Sequence, residues 1–444
     1  MSRTHIVVVG GGITGLAAAW ELSADPGLDI DLYEASDRFG GKIHTSAFAG
    51  LAVDEGADAF LCRVPDAVEL CDEVGIDAAH RTSPGRASAF VWVDGSLRRL
   101  PQGLVLGFPA SFEALASSGI LTPDGLRRAR CEVELDGQPL VGDTPIGSFV
   151  AERYGPEVVD RLVGPLIGGI NAGDVNEMSL DAVLPQIADV AHRSASISKG
   201  LTALAPAESG PIFSAPVGGM GRLIAALVES LDRRGVGLHT GSTLAELPSA
   251  DGVVLTTPAD VTARLVEPRC PAAAQLLGGI RFASIAFVTL AYDPDDVGIE
   301  LDGSGFLIPR DAGLTATAVS WASSKWAHLR IDDAVIMRVS VGHIHDTESI
   351  GLDDGEIIRR IGEDLRTTMA IDAAPIEYRI TRYPNGFPQY DVGHLGRIDA
   401  VDAALRSLAP DLAVCGMAHR GVGIPACIKG GRTAARALAE RLRP

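Results

Sequence analysis

The chain has 444 residues, of which 46% are hydrophobic and 21% charged, with a formal net charge of −19. That length exceeds what one hydrophobic core serves and predicts two or three domains of a globular protein. The acidic balance excludes nucleic acid as a partner, because such binding rests on neutralising phosphates with cations. It also leaves at most peripheral contact with an anionic membrane. The first element, Ile6 to Val9, is a short apolar run that reads as a buried parallel strand. Gly10-Gly11-Gly12-Ile13-Thr14-Gly15 follows at once, then a helical stretch Leu16 to Leu22, then a second strand Ile30 to Tyr33 that ends in Glu34. This is G-x-G-x-x-G between strand and helix, with an acid 19 residues after the third glycine. Gly10 permits the tight turn, Gly12 lets a pyrophosphate approach the backbone, and Gly15 lets helix pack on strand. The start of the helix offers unpaired N–H groups to phosphate. Glu34 can accept hydrogen bonds from ribose hydroxyls and would repel a 2′-phosphate.

Further along lie Arg38-Phe39-Gly40-Gly41-Lys42 and Val53-Asp54-Glu55-Gly56-Ala57-Asp58-Ala59-Phe60-Leu61. An extended dinucleotide needs a second glycine-rich basic loop, and Arg38 and Lys42 supply charge-assisted hydrogen bonds to phosphate. With Glu34 this segment resembles the flavin amine oxidase superfamily, which implies FAD rather than NAD. Residues from about 100 to 205 read as largely helical. Pro216 to Arg222 is a second glycine-rich site, followed by a helix with Leu223, Ala226, Leu227 and Leu231 on one face, and by strands Val236 to Thr240 and Val253 to Pro258. Only Ala245 to Asp251 separates these strands where relatives in the superfamily place a hairpin, so a shortened sheet edge is expected. Ser284 to Leu290 and Val335 to Val341 read as strands of an antiparallel substrate-domain sheet. A third glycine-rich site begins at Val414 and leads into a helix, Cys427 to Leu442, with Pro425 suited to its first turn.

The expected fold is α/β (α+β overall). A Rossmann-like FAD-binding domain is assembled from residues 1–60, 210–264 and 381–444. Residues 61–99 and 265–380 form the substrate domain, and 100–209 a helical, membrane-domain-like insertion. The six cysteines show no CxxC and no metal spacing, which points to reduced thiols and a cytoplasmic protein. Met1 to His5 runs straight into the first strand, and no apolar segment is long enough to span a bilayer. His343 and His345 read as a polar pair sharing one face of a strand; they lack a third ligand, and no metal is expected.

Several longer segments are more specific. They are Gly164-Pro165-Leu166-Ile167-Gly168-Gly169-Ile170-Asn171-Ala172-Gly173-Asp174, Gly303 to Arg310, Trp321 to Trp326 (WASSKW), Pro388 to His394 (PQYDVGH) and Arg420 to Pro425 (RGVGIP). Across essentially its whole length the chain resembles the protoporphyrinogen/coproporphyrinogen III oxidase family, of the type found in Gram-positive bacteria. The GI-x-AGD and W-x3-KW wording leans toward the coproporphyrinogen enzymes. The resemblance implies non-covalent FAD and oxygen-dependent oxidation of coproporphyrinogen III to coproporphyrin III in heme biosynthesis. Six hydrogens leave in three hydride transfers to flavin N5, with H2O2 released. It implies a porphyrinogen and O2 as partners, together with the next enzyme of the heme pathway. Protoporphyrinogen IX oxidation, a flavin amine or polyene oxidase, and a non-catalytic tetrapyrrole carrier remain as alternatives.

By this resemblance Gly10, Gly11, Gly12, Ile13, Thr14, Gly15, Glu34, Ala35, Lys42, Gly56, Ala57, Asp58, Ala59, Leu244, Val422, Gly423 and Ile424 contact FAD. Ile170 and Gly173 shape the substrate face. Arg63, Arg310 and Lys325, with Arg81 and Arg86 behind them, are the candidate cations for substrate carboxylates. Tyr390 and His394 are assigned structural hydrogen bonding near the flavin. No catalytic acid–base dyad stands out, because the chemistry is the cofactor's.

Overall fold

The computed structural model describes residues 3–86, 88–203 and 210–443. Residues 204–209, the end of the expected helical insertion, lie outside the described residues. Five parallel strands form the first sheet, in the order Gly237–His239, Leu28–Tyr33, Thr4–Val9, Gly252–Leu255, Leu412–Val414. Its central strand alternates between two cores. Ile6 and Val8 face one core built from the helices Ile13–Leu22, Gly221–Arg233 and Ile424–Leu442. Val7 and Val9 face another, built from Ala259–Val266, Pro271–Gly278 and His394–Leu408. Helices on both faces make a doubly wound parallel sheet, the arrangement expected of near-continuous apolar strands. The edge strand Gly237–His239 is three residues long, and no strand intervenes before Gly252.

The N-terminal helix is apolar nearly all round and correspondingly buried, from Ile13 to Trp20 and at Leu22. The helix Ile424–Leu442 lies across it. A Cβ on Gly431 would stand 2.3 Å from the Thr14 carbonyl oxygen, so the two backbones approach as closely as glycine permits. This helix starts at Ile424, one turn before the expected Cys427, with Pro425 in its first turn where no N–H is needed. The helix Asp66–Glu73 packs into the same core through Ala67, Leu70 and Cys71. Its Glu73 accepts hydrogen bonds from Trp20 Nε1, at 2.5 Å, and from Arg432. Residues 66–73 of the 61–99 span thus sit with the dinucleotide-type core.

The second sheet has seven strands, in the order Glu377–Pro388, Phe282–Tyr292, Val335–Val341, Ala316–Ser320, Gly305–Leu307, Ala89–Val93, Ser96–Arg99. Its pairs are antiparallel except one: Gly305–Leu307 runs parallel to Ala89–Val93, which forms a hairpin with Ser96–Arg99. The expected antiparallel sheet carries one parallel pair at this seam, where chain from the early 61–99 span joins the later 265–380 span. Strand Glu377–Pro388 belongs to this sheet along its whole length, beyond position 381. One face packs on the helix Asp354–Met369 through Ala286, Val288, Leu290, Met337, Val339 and Val341. The opposite face carries Ile285, Phe287, Arg338 and Tyr383. The strand Val335–Val341 stops before Gly342, whose φ of 92° suits glycine, and so His343 and His345 lie in a turn rather than on a strand.

Residues 104–201 supply a third, mainly helical core that also receives Val91 and Val93. At its heart the segment Val159–Gly168 is π-helical, with Pro165 inside it. Among the described residues no helix is long and apolar enough to cross a membrane.

The crossing at Gly431 yields a paired expectation. Gly431→Ala should cost about 1–3 kcal/mol through overpacking, against the gain of up to about 1 kcal/mol that alanine brings to an open helical position. Gly430→Ala, with nothing within 4 Å of its Cβ, should be neutral or stabilising. Thermal unfolding of the two variants decides it, and similar shifts in both would remove the tight crossing from the account.

Candidate functional site

The glycine-rich turn does what its spacing dictates. Gly10, at φ 106°, takes a conformation open to glycine, and its Cβ would stand 2.7 Å from Thr256 Oγ1. A Cβ on Gly15 would stand 1.8 Å from the Gly10 carbonyl oxygen, so helix and strand touch there. A Cβ on Gly12 would meet nothing within 4 Å. The space above Gly12 is therefore open, at the N-cap of a helix with no side-chain cap and no acid in its first turn. Gly423 caps the crossing helix in the same uncapped, acid-free way. The unpaired N–H groups and positive dipole ends of both helices suit an anion. Lys42 lies by this junction, near Cys427. Burial lowers its ammonium pKa, and among the described residues it makes no ion pair.

Glu34 turns back onto the glycine-rich turn. Its Oε2 accepts the Gly11 N–H at 2.7 Å, and its Oε1 accepts the Ser36 N–H and hydroxyl, each at 2.8 Å. The following loop is tied to it, since Ser242 N–H donates to the Glu34 carbonyl at 2.8 Å. Leu244, two residues on, is half-buried against the core that holds Tyr33.

The loop before the C-terminal helix is shaped by the PQYDVGH segment. Tyr390 Oη donates to the Met417 carbonyl at 2.7 Å and accepts the Gly421 N–H at 2.8 Å. His394 stacks on the Tyr390 ring, with centroids 3.9 Å apart, and its Nε2 meets the His419 carbonyl at 2.8 Å. His419 itself is buried with neither ring nitrogen partnered. Burial, helped by His394 and Arg420, pushes its pKa down to about 3, which keeps the ring neutral.

The Gly56 to Ala59 stretch faces the large sheet. Asp58 is held by Lys325 Nζ at 2.8 Å and Trp326 Nε1 at 3.0 Å, with Arg338 Nη2 at 3.7 Å. Its carboxyl lies well below the usual range, because these cations outweigh its burial. Asp54, four residues earlier, behaves oppositely. Burial and the Asp58 charge push its pKa up to about 6, against hydrogen bonds from Thr45 Oγ1 and the Met220 N–H.

On the same face of the sheet the helical segment ends in a turn. Ala172 adopts a left-handed conformation at φ 48° and packs with Ala283 and Ile285. A Cβ on Gly173 would collide with Met178 and Gln389. Ile170 projects from the turn and is 52% exposed, an unusual position for isoleucine. Arg310 binds the Gly173 carbonyl and Asp174, and beside it runs a cavity of about 200 Å³ lined by Gly168, Ala172, Arg310, Thr317 and His343.

The structure thus gathers the glycine-rich turn, Glu34, Lys42, the 422–424 loop and the 56–59 stretch around the junction of the two helices, and places Ile170 and Gly173 on the neighbouring sheet face. The expected cations divide differently. Lys325 is committed to Asp58, Arg310 to Asp174, Arg81 to Asp72 and Arg86 to Asp302. Arg63 is exposed and, among the described residues, makes no ion pair. Sequence reading missed Arg338. Its signal was a lone charge in the apolar run Val335 to Val341, where Met337 and Val339 face the opposite core.

Residues 13–439 match the family model described as flavin containing amine oxidoreductase. The chain belongs to this family. It is an oxidoreductase, and the family implies a flavin cofactor. It is 32% identical to a coproporphyrinogen III oxidase of Bacillus subtilis (strain 168), over 97% of this chain and 97% of the relative. It is 33% identical to that of Mycobacterium tuberculosis (strain ATCC 25618 / H37Rv), over 100% of this chain and 99% of the relative. The solved structure of a protein from Exiguobacterium sp. 255-15 superposes with a TM-score of 0.88 at 28% identity, covering 99% of each chain. UDP-galactopyranose mutase superposes at 0.74 with 15% identity, over 99% of this chain and 94% of its own, which speaks to the fold alone.

Two outcomes are expected. Gly12→Val should leave the flavin-free fold near wild-type stability, because no atom lies in the way, yet abolish flavin binding by filling the open space. Thermal unfolding of the flavin-free protein and a flavin titration test the two halves, and retained binding would refute the assignment of that space. Asp54 makes the second. Its folded pKa of about 6 exceeds the unfolded value of about 3.9. The folded state holds the proton more tightly, so Asp54 lowers stability as pH rises from about 4 to about 6, by roughly 3 kcal/mol. Asp54→Asn should flatten the stability profile in that window, as read by denaturant unfolding of the flavin-free protein at several pH values.

Proposed function

We propose that this protein oxidises coproporphyrinogen III to coproporphyrin III with non-covalently bound FAD and O2, in the cytoplasm. One observation carries the reading: the identity of 32–33% with coproporphyrinogen III oxidases spans nearly the whole chain. By contrast, protoporphyrinogen oxidase 1 of Arabidopsis thaliana is 26% identical, over 96% of this chain and 86% of its own. All six cysteines are free, in keeping with a reducing compartment.

The residues present fit a flavin dinucleotide. Its pyrophosphate would lie over Gly12, at the uncapped start of the helix Ile13–Leu22 and beside the Lys42 ammonium, while the uncapped helix start at Gly423 would face the flavin ring. Glu34 would serve the ribose through lone pairs left over from its backbone contacts. Bound FAD would supply a two-electron acceptor reoxidised by O2, so a porphyrinogen loses its six hydrogens in three rounds. The protein's own part is to bind, orient and exclude water. Ile170 offers an apolar contact for a tetrapyrrole, and the pinned turn Ala172–Gly173 fixes its height above the sheet. Burial pushes the Cys427 thiol up to about 11, so it stays an S–H and a poor nucleophile, which favours non-covalent cofactor. Arg63 is the cation retained for a substrate propionate, since the other candidates are spent in internal pairs.

Anaerobic bleaching of the bound flavin by coproporphyrinogen III and by protoporphyrinogen IX tests the reading. Faster bleaching by the tetracarboxylate is expected, with kcat/KM falling as salt rises because exposed ion pairs are screened over roughly 8–10 Å. Arg63→Glu should raise KM for coproporphyrinogen more than for protoporphyrinogen. A preference for protoporphyrinogen without salt dependence would overturn both the substrate and the role of Arg63.

A further inference from the structure

Two sequence features remain without a role: the Lys325-Trp326 end of the WASSKW segment, and the lone Arg338 in an apolar strand. They converge on one carboxylate. Lys325 Nζ and Trp326 Nε1 both donate to Asp58 Oδ2, at 2.8 and 3.0 Å, and Arg338 Nη2 stands 3.7 Å from Oδ1. Arg338 also donates to the Gly56 carbonyl at 2.5 Å and to the Asp54 carbonyl at 3.4 Å, while its guanidinium lies over Phe287 at 4.8 Å. The stretch itself has no slack, since a Cβ on Gly56 would stand 2.3 Å from the Lys42 carbonyl oxygen. Lys325 is in turn anchored through its own carbonyl, which accepts the Gly85 N–H at 2.9 Å. The side chains of Asp58, Lys325 and Arg338 are 19%, 18% and 14% exposed, so water screens this cluster little.

We propose that Lys325 is a positioning residue: with Trp326 and Arg338 it holds Asp58, and so locks the 54–58 stretch to the large sheet, and it does not bind a substrate carboxylate. The inference rests on reading residues 56–59 as the flavin-contacting stretch. A largely shielded carboxylate stripped of its main cation is costlier than the pair removed together, because the stranded charge has little solvent to turn to. Lys325 would have to abandon Asp58 to reach a propionate, at that same cost. Trp326 cannot replace it, since an indole N–H carries no charge.

The test is a double-mutant cycle on the full chain, with FAD affinity read by fluorescence titration and the bound flavin's long-wavelength absorption band as a second readout. Lys325→Met should weaken FAD binding by about tenfold or more and move that band, in line with losing one partner of a buried pair. The Asp58 carboxylate is turned to Lys325 and Trp326, which leaves the backbone of the stretch to the flavin, so adding Asp58→Asn in the same chain should recover most of the lost affinity and the wild-type band, and Lys325→Arg should retain both. An unchanged FAD affinity in Lys325→Met, or a double variant no better than the single one, overturns the proposal. If Lys325→Met does not fold, recovery of folding in the double variant supports the proposal and its failure to recover overturns it. A propionate role would show differently: the double variant would bind FAD normally yet keep a raised KM for coproporphyrinogen relative to protoporphyrinogen. The FAD readouts need no substrate, so an error in the proposed substrate leaves them standing. A wild-type protein that binds no FAD would instead refute the functional reading.

Discussion

The close crossing of the helices Ile13–Leu22 and Ile424–Leu442 is the constraint on which the rest of the site depends. Glycine at position 431 lets one backbone rest against the Thr14 carbonyl of the other. That contact sits at the start of the first helix and about two turns into the second, and each helix starts without a capping side chain or an acid in its first turn. Partial positive charge accumulates there in a chain whose formal net charge is −19. Apart from the Glu34 carboxyl on the Gly11 N–H, several neighbouring groups leave it uncancelled. Cys427 stays protonated, His419 stays neutral, and Asp58 on the facing stretch is matched by Lys325 and Arg338.

What was legible in the sequence is what local spacing controls. The glycine-rich turn, the strand and helix around it and the acid at position 34 have fixed offsets, and the structure places them as those offsets require. The strands Ser284 to Leu290 and Val335 to Val341 were legible from composition, although the first proves longer at both ends. Pairing between distant segments was not legible. Lys325 looked like a free cation because its partner lies 267 positions away. Arg310 looked free for the same reason, with Asp174 at a separation of 136. The parallel seam between Ala89–Val93 and Gly305–Leu307 and the π-helical turn around Pro165 also follow from tertiary packing rather than from any local pattern.

Cations in this protein serve mainly to join segments. Arg432 and Trp20 meet on Glu73, Arg281 bridges Glu177 and Asp391, and Arg310 ties the sheet to the turn that carries Ile170. Most such pairs are exposed and contribute little individually, about 0–1 kcal/mol. Their value lies in register: each fixes how one layer meets the next. The Asp58 cluster differs because it is largely shielded from water, and its removal would be felt where the 54–58 stretch meets the large sheet.

The interleaving of distant segments also governs the order in which the molecule can assemble. The central strand Thr4–Val9 finds one neighbour at Leu28–Tyr33 but the other only at Gly252–Leu255. The helix that covers Ile13–Leu22 follows it by about 400 residues. At ordinary translation rates of about 5–20 residues per second, the apolar surface of the first helix waits roughly 20–80 s for that cover. A nascent chain in this interval exposes a strand edge and a helix apolar nearly all round, the features that invite aggregation. Completion of the nucleotide-type fold is thus a late event of synthesis, and shielding of the N-terminal segment in the meantime falls to whatever binds the emerging chain.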